Sequence, residues 1–199
     1  MDAARAQDAV HRGLGRAGRV VGEWCEVFRA DGPQHPMAPR CRVLRMPAAF
    51  SAPDGRFARP VAHGQVYWHG IFDAAYTRVG DYVRRGDGAI WFIAAQQALM
   101  PVLYVRASRI VELRRPAGPE RPGLAPYGGT AGVGPGGGGA SVLLRGWPAA
   151  VLATGGAGVG GSGLPEALAA GSGMLLLPAL AGVVLQPGDL RATISGAPV

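Results

Sequence analysis

Residues 77–97 read TRVGDYVRRGDGAIWFIAAQQ. Two β-prone runs, TRVGDYVRR and AIWFIAAQQ, flank the tripeptide Gly86-Asp87-Gly88. Asp and Gly accept the positive φ of a tight turn, so the stretch predicts a hairpin turning at Gly86–Gly88. Upstream, QVYWHGIFDA (65–74) alternates in the manner of a half-buried strand. Downstream, PVLYVRASRIVELRRP (101–116) supplies one or two further strands before Pro116. Several short antiparallel strands confined to residues 65–116 predict a small β-barrel or sandwich domain.

The flanks differ in kind. Residues 2–28 carry apolar side chains at steps of three and four, with Asp2 placed as N-cap, and predict an α-helix. Gly13, Gly15, Gly18 and Gly22 weaken it by roughly 1 kcal/mol each relative to Ala, so it needs a surface to lie on. Residues 31–64 hold six prolines and predict an extended arm with a short strand near Arg42–Arg45. Residues 117–140 are Gly- and Pro-rich and read as a linker. In 141–199, SVLLRGWPAAVLA and GMLLLPALAGVVL suggest a second, incomplete β unit, and LQPGDLRATI echoes TRVGDYVRR. The fold class expected is mainly β: small antiparallel barrel or sandwich units with an N-terminal helix and arm (1–64), a barrel-like domain (65–116), a linker (117–140) and the second unit (141–199).

Net charge is +7, from 20 basic and 13 acidic residues, and every basic residue is Arg; neither Lys nor Asn occurs. Both missing residues have AT-rich codons, so a GC-rich genome accounts for the bias. The other reading is contact with phosphates or acidic surfaces, which suit the guanidinium fork. The N-terminal sequence is polar and mixed, unlike a signal peptide. The run Met174–Leu185 is too short to span a bilayer and contains Pro178, so no membrane is expected as a partner.

Candidate chemistry is sparse. Cys25 and Cys41 lack the paired spacing of a zinc site and read as free thiols. Gly156, Gly158 and Gly161 match G-x-G-x-x-G, but in Gly-rich surroundings, with no acidic ribose partner about twenty positions on. A chain without Lys cannot complete a phosphate-binding P-loop at GPGGGG. His11 and His35 stand apart; His63 and His69 share a strand face about 20 Å apart by strand rise, too far for one metal. Asp73, Asp81 and Asp87 read as turn and strand-end residues rather than an acid–base cluster. The aromatics Tyr67, Trp68, Tyr76, Tyr82, Trp91, Phe92 and Tyr104 fit core packing or subunit contacts. A base-stacking barrel is the alternative. No catalytic, cofactor-binding or metal-binding residue is assigned, and neither enzymatic activity nor a cofactor is expected.

YTRVGDYVRRGDGAIWFIAAQQALMPVLYVRASRIVELRRP (76–116), with VHRGLGRAGRVVGEWCEVFRADGP (10–33) before it and GWPA (146–149) after, resembles a family of tailed-bacteriophage and prophage virion proteins. The resemblance covers roughly residues 10–190. It implies a structural role in the neck, head–tail connector or tail, as a homo-oligomeric ring in the virion, without enzymatic activity. Its partners would be other phage neck, tail and portal proteins, with non-specific contact to packaged DNA. Two other classes are weighed against it: a single-strand nucleic-acid-binding barrel, and a nucleotide-dependent enzyme using Gly156–Gly161. On the virion reading, the helix and the 31–64 arm lie on a neighbouring subunit.

Overall fold

The computed structural model describes residues 2–51, 67–115, 141–153, 173–179, 183–184 and 193–194. The 117–140 linker, the Gly156–Gly161 loop, Phe57 and His63 lie outside them.

One helix, α1 (Ala3–Val21), precedes the strands. Asp2 caps it as expected, its side chain accepting from the Ala4 N–H at 3.1 Å. The helix stops at Gly22, short of the expected Phe28, and the chain turns directly into β1 (Glu23–Phe28). EWCEVF alternates outward and inward side chains, and that period of two overrides the helical spacing of Val20, Val21, Trp24 and Phe28. The glycines let α1 lie flat on the barrel. A Cβ on Gly18 would stand 2.7 Å from the Ile71 carbonyl oxygen, and one on Gly15 would stand 2.9 Å from Asp73 Cβ.

The 31–64 arm also departs from expectation. Its residues 42–51 form a full strand, β2 (Arg42–Ser51), which pairs with β1 from Arg42 to Ala48 and with β3 (Tyr67–Ile71) from Ala49 on. Pro47 is tolerated because β3 has not yet joined at that point, leaving one edge of β2 open. Leu44, Met46 and Phe50 pack with the barrel's own core. Residues 33–35 strap onto the second sheet: the Arg145 N–H donates to the Pro33 carbonyl (3.0 Å) and the His35 N–H to the Arg145 carbonyl (2.9 Å). Trp147 Nε1 adds a 2.8 Å bond to Pro33 O. These residues are therefore satisfied within their own chain.

The hairpin forms where the sequence places it. β4 (Tyr82–Arg84) and β5 (Ile90–Ala95) are joined through Gly88, at φ +89°, with Asp87 Oδ1 accepting from the Ala89 N–H. Asp81 stands at the start of β4, as expected; the β-prone Thr77–Val79 ahead of it is not strand, and Val79 and Gly80 form a turn, with Gly80 at φ +94°. With β6 (Val102–Arg106), the six strands close in the order β1-β2-β3-β6-β5-β4, and β4 returns to β1 with Val27 opposite Val83. The fold class is mainly β and antiparallel, as expected.

The expected boundary at 116 shifts. β7 (Arg109–Arg115) leaves the barrel and pairs with β8 (Ser141–Ala153), flanked by β9 (Gly173–Leu176) and β10 (Thr193–Ile194) in the order β10-β7-β8-β9. The barrel instead takes two strands from residues 1–64. Two cores result. Inside the barrel, Phe50 stacks on Trp91 at 4.8 Å, and Tyr104 meets Phe50 and Phe72 edge-on. Between the barrel's outer face and the second sheet, Phe28, Tyr82 and Phe92 pack with Val111, Leu113 and Trp147. Alternation along each strand separates the two cores: Val83 faces in while Tyr82 faces out.

Candidate interaction groove

The helix leaves a groove of about 1080 Å³ beside β1 and β2. Arg12, Arg16 and Arg19 of α1 form one wall, and Val43–Pro47 of β2 form the floor. Trp24 stands at the start of β1; Arg29, just past its end, and Tyr76 line the groove too. Leu44 and Met46 turn their side chains into the barrel core, so their backbone is what the groove meets. Trp24 and Tyr76 are 63% and 71% exposed.

Local rules position these groups. Arg5, Arg12, Arg16 and Arg19 follow at steps of seven, four and three, which puts them on one helical stripe. Asp73 also lines the groove; its Oδ1 accepts the Ala75 N–H and starts the turn Ala74–Tyr76. Beneath, Arg29 donates from Nε and Nη2 to the two oxygens of Asp81, at 2.8 and 2.7 Å. The Arg78 N–H adds a third bond to Asp81, at 3.0 Å. Hydrogen bonding to Asp81 raises the Arg29 pKa.

Charge pairing separates this surface from the rest. Arg84 and Arg42 both bind Glu26 and hold its carboxyl below the usual range. Arg85 binds Glu23, Arg40 binds Asp31, and Arg114 and Arg145 share Glu112. On the helix side, Arg5, Arg16, Arg19 and Arg45 make no ion pair among the described residues, and Arg12 reaches only the Asp8 carbonyl, at 3.3 Å. Outside this region, Arg106 and Arg109 also lack a carboxylate partner there. Codon bias would explain the number of arginines, but it would give no reason for five unneutralised ones to gather on one side.

The residues singled out in the sequence do not converge. Cys25 lies inside the barrel, where burial pushes its thiol up to about 11. Cys41 packs in the outer core with its Sγ donating to Asp31, and burial raises its pKa too. His11 sits on α1, His35 against Gly146, and His69 is buried on β3. Among the described residues no three His, Cys, Asp or Glu side chains form a metal set. Asp73 and Asp87 serve turns, as expected, whereas Asp81 is the buried partner of Arg29. Tyr82, Trp91, Phe92 and Tyr104 are core residues, and Tyr76 alone of the seven aromatics is exposed. Trp24 went unnoticed because it continues a helical apolar spacing. The groove's lining offers guanidinium donors, one carboxylate and two aromatic rings, a set suited to binding an anion. No protein-family model, no curated protein and no solved structure matches this chain.

Proposed function

We propose that this chain is a structural subunit of a tailed-bacteriophage virion, in the neck, head–tail connector or tail, and that it works as a homo-oligomeric ring. The family resemblance of residues 10–190 supplies the class. The observation that carries the oligomer is the outer face of α1. Ala9, Gly13, Ala17 and Val20 follow at steps of four, four and three, and all are exposed. Val20 is 84% exposed, and a Cβ on Gly13 would meet open space. Val21, Leu99 and Met100 are large apolar groups left in solvent near the same helix, whose Gln7 Oε1 accepts the Leu99 N–H. Small side chains allow a neighbouring backbone to approach closely, and in a closed ring one repeated heterologous contact would cover the face in every subunit.

Deleting residues 1–60 is a poor test, because it removes β1 and β2 from the barrel. The informative variant is Val20→Asp, at an exposed site. It is expected to keep the fold and lose both the oligomer and incorporation into particles. An unchanged oligomer in the variant would refute the assignment of this face.

A further inference from the structure

We infer that the groove between α1 and β2 is a binding site for a single strand of nucleic acid, held by its phosphates along the helix and by base stacking on Trp24 and Tyr76. The site lies beside the helix stripe assigned to the ring contact: on α1 the arginines and the small residues Ala9, Gly13 and Ala17 form adjacent stripes, Ala9 four positions from Arg5 and Gly13 three from Arg16, and of these residues Arg12, Arg16 and Arg19 line the groove.

Charge comes first. Arg12, Arg16 and Arg19 present about one cation per 5.4 Å helical turn, and Arg5 extends the row to about 21 Å. Arg45 faces them from the strand side of the same groove. None of these has a carboxylate partner among the described residues, whereas Arg29 in the same groove is neutralised by Asp81. The carboxylates nearby are Asp2 and Asp8 on the helix and Asp73 on the rim; Asp2 is engaged as the N-cap and Asp73 at the turn. A regular row of unneutralised guanidinium groups fits a linear polymer that carries one anion per repeat. A second copy of this chain is a poor occupant, because its charge is +7 and Glu23, Glu26, Asp31, Asp81 and Glu112 are already paired.

The aromatic rings choose between polyanions. Trp24 is the second residue of β1, and the Tyr76 carbonyl accepts from Arg29 Nη2, just past the other end of the strand. Strand rise separates Trp24 from Arg29 by about 17 Å, so the two exposed rings stand toward opposite ends of the groove. Bases stack on such rings regardless of sequence, while the backbone follows the cations. An acidic protein segment would want apolar pockets, but Leu44 and Met46 are turned into the barrel, and the outward floor is Val43, Arg45 and Pro47.

The test is fluorescence anisotropy of full-length protein with a fluorescein-labelled oligothymidylate dodecamer at several salt concentrations. A duplex of equal length and poly-L-glutamate serve as comparison probes. Four neutralised phosphates predict a slope of log K against log salt of about −3. Arg16→Gln with Arg19→Gln is expected to weaken binding at least tenfold and to roughly halve that slope. Trp24→Ala and Tyr76→Ala are each expected to weaken binding about tenfold with the slope unchanged. Arg106→Gln, away from the groove, is expected to change neither. All substituted sites are exposed, and melting curves check that the variants fold. Binding that is absent at low salt, or insensitive to the groove variants, overturns the inference. Tighter binding of the duplex overturns the single-strand assignment. Tighter binding of poly-L-glutamate assigns the groove to an acidic protein segment and overturns it equally.

Discussion

Arg29 and Asp81, 52 positions apart in the chain, meet as a bidentate ion pair beneath the groove. Asp81 is 1% exposed and Arg29 29%. The pair ties the end of β1 to the start of β4, the two strands whose pairing closes the barrel. Removing one partner strands the other charge in a half-dry site. Asp81→Asn is therefore expected to destabilise the protein by about 2–3 kcal/mol, the lower end for a buried pair because the guanidinium still reaches water. Urea denaturation checks it. A double-mutant cycle with Arg29→Gln should show a coupling, so that the two losses do not add.

Gly70 on β3 points at the barrel's aromatic filling. A Cβ there would lie 2.3 Å from Tyr104 Cε2 and 2.7 Å from Phe72 Cε1. Those rings are fully buried and cannot swing aside. Gly70→Ala is expected to cost about 1–3 kcal/mol by overpacking. Gly13→Ala, made in the Val20→Asp background so that the proposed ring contact is absent, is expected to stabilise by roughly 1 kcal/mol, because a Cβ there meets open space in the single chain. Thermal melts of the two variants should move in opposite directions.

What the sequence made legible was local chemistry. The β4–β5 hairpin follows from Asp87-Gly88, whose turn preference lies in the two residues themselves. The helix start follows from Asp2. β1 was hidden because Val20, Val21, Trp24 and Phe28 continue a helical spacing across Gly22, although EWCEVF alternates. Only the first part of β2, Arg42–Arg45, was legible; Pro47 hid the rest, and it is tolerated because β3 joins the sheet two residues later, a fact of register and not of composition. The transfer of β7 to the second sheet depends on a partner strand whose paired residues lie 26 to 40 positions away in sequence. The groove was illegible for the same reason: its arginines come from a helix and a strand that meet only in the folded chain, and Arg29–Asp81 carries no local signature.

Tyr82 Oη donates to the Pro148 carbonyl at 2.8 Å and is a side-chain link from the barrel to β8. Tyr82→Phe keeps the packing against Phe92 and Trp147 and leaves that carbonyl short of a donor. A loss of about 1 kcal/mol is expected. Faster amide exchange in β8, without change in β2, would locate the effect.

Cys25 gives a pH dependence of defined sign. Burial, with Glu23 nearby, moves its pKa from 9.0 to about 11. Between those values the unfolded thiol ionises while the folded one keeps its proton. The native state then binds more protons, and stability falls as pH rises, by about 1.4 kcal/mol per unit. Below pH 9.0 the group contributes no slope. The difference in stability between the native protein and Cys25→Ser should therefore be flat up to about pH 9 and change across the interval above it. The thiol should also resist alkylation at pH 8 until the protein unfolds.

Native mass spectrometry of the full-length protein at micromolar concentration, beside Val20→Asp, decides whether the ring forms. One closed oligomer is expected, a fixed multiple of the 20.4 kDa chain, with the variant falling to single chains of that mass. A wild-type protein that remains a 20.4 kDa monomer at every concentration and is absent from purified particles would contradict it.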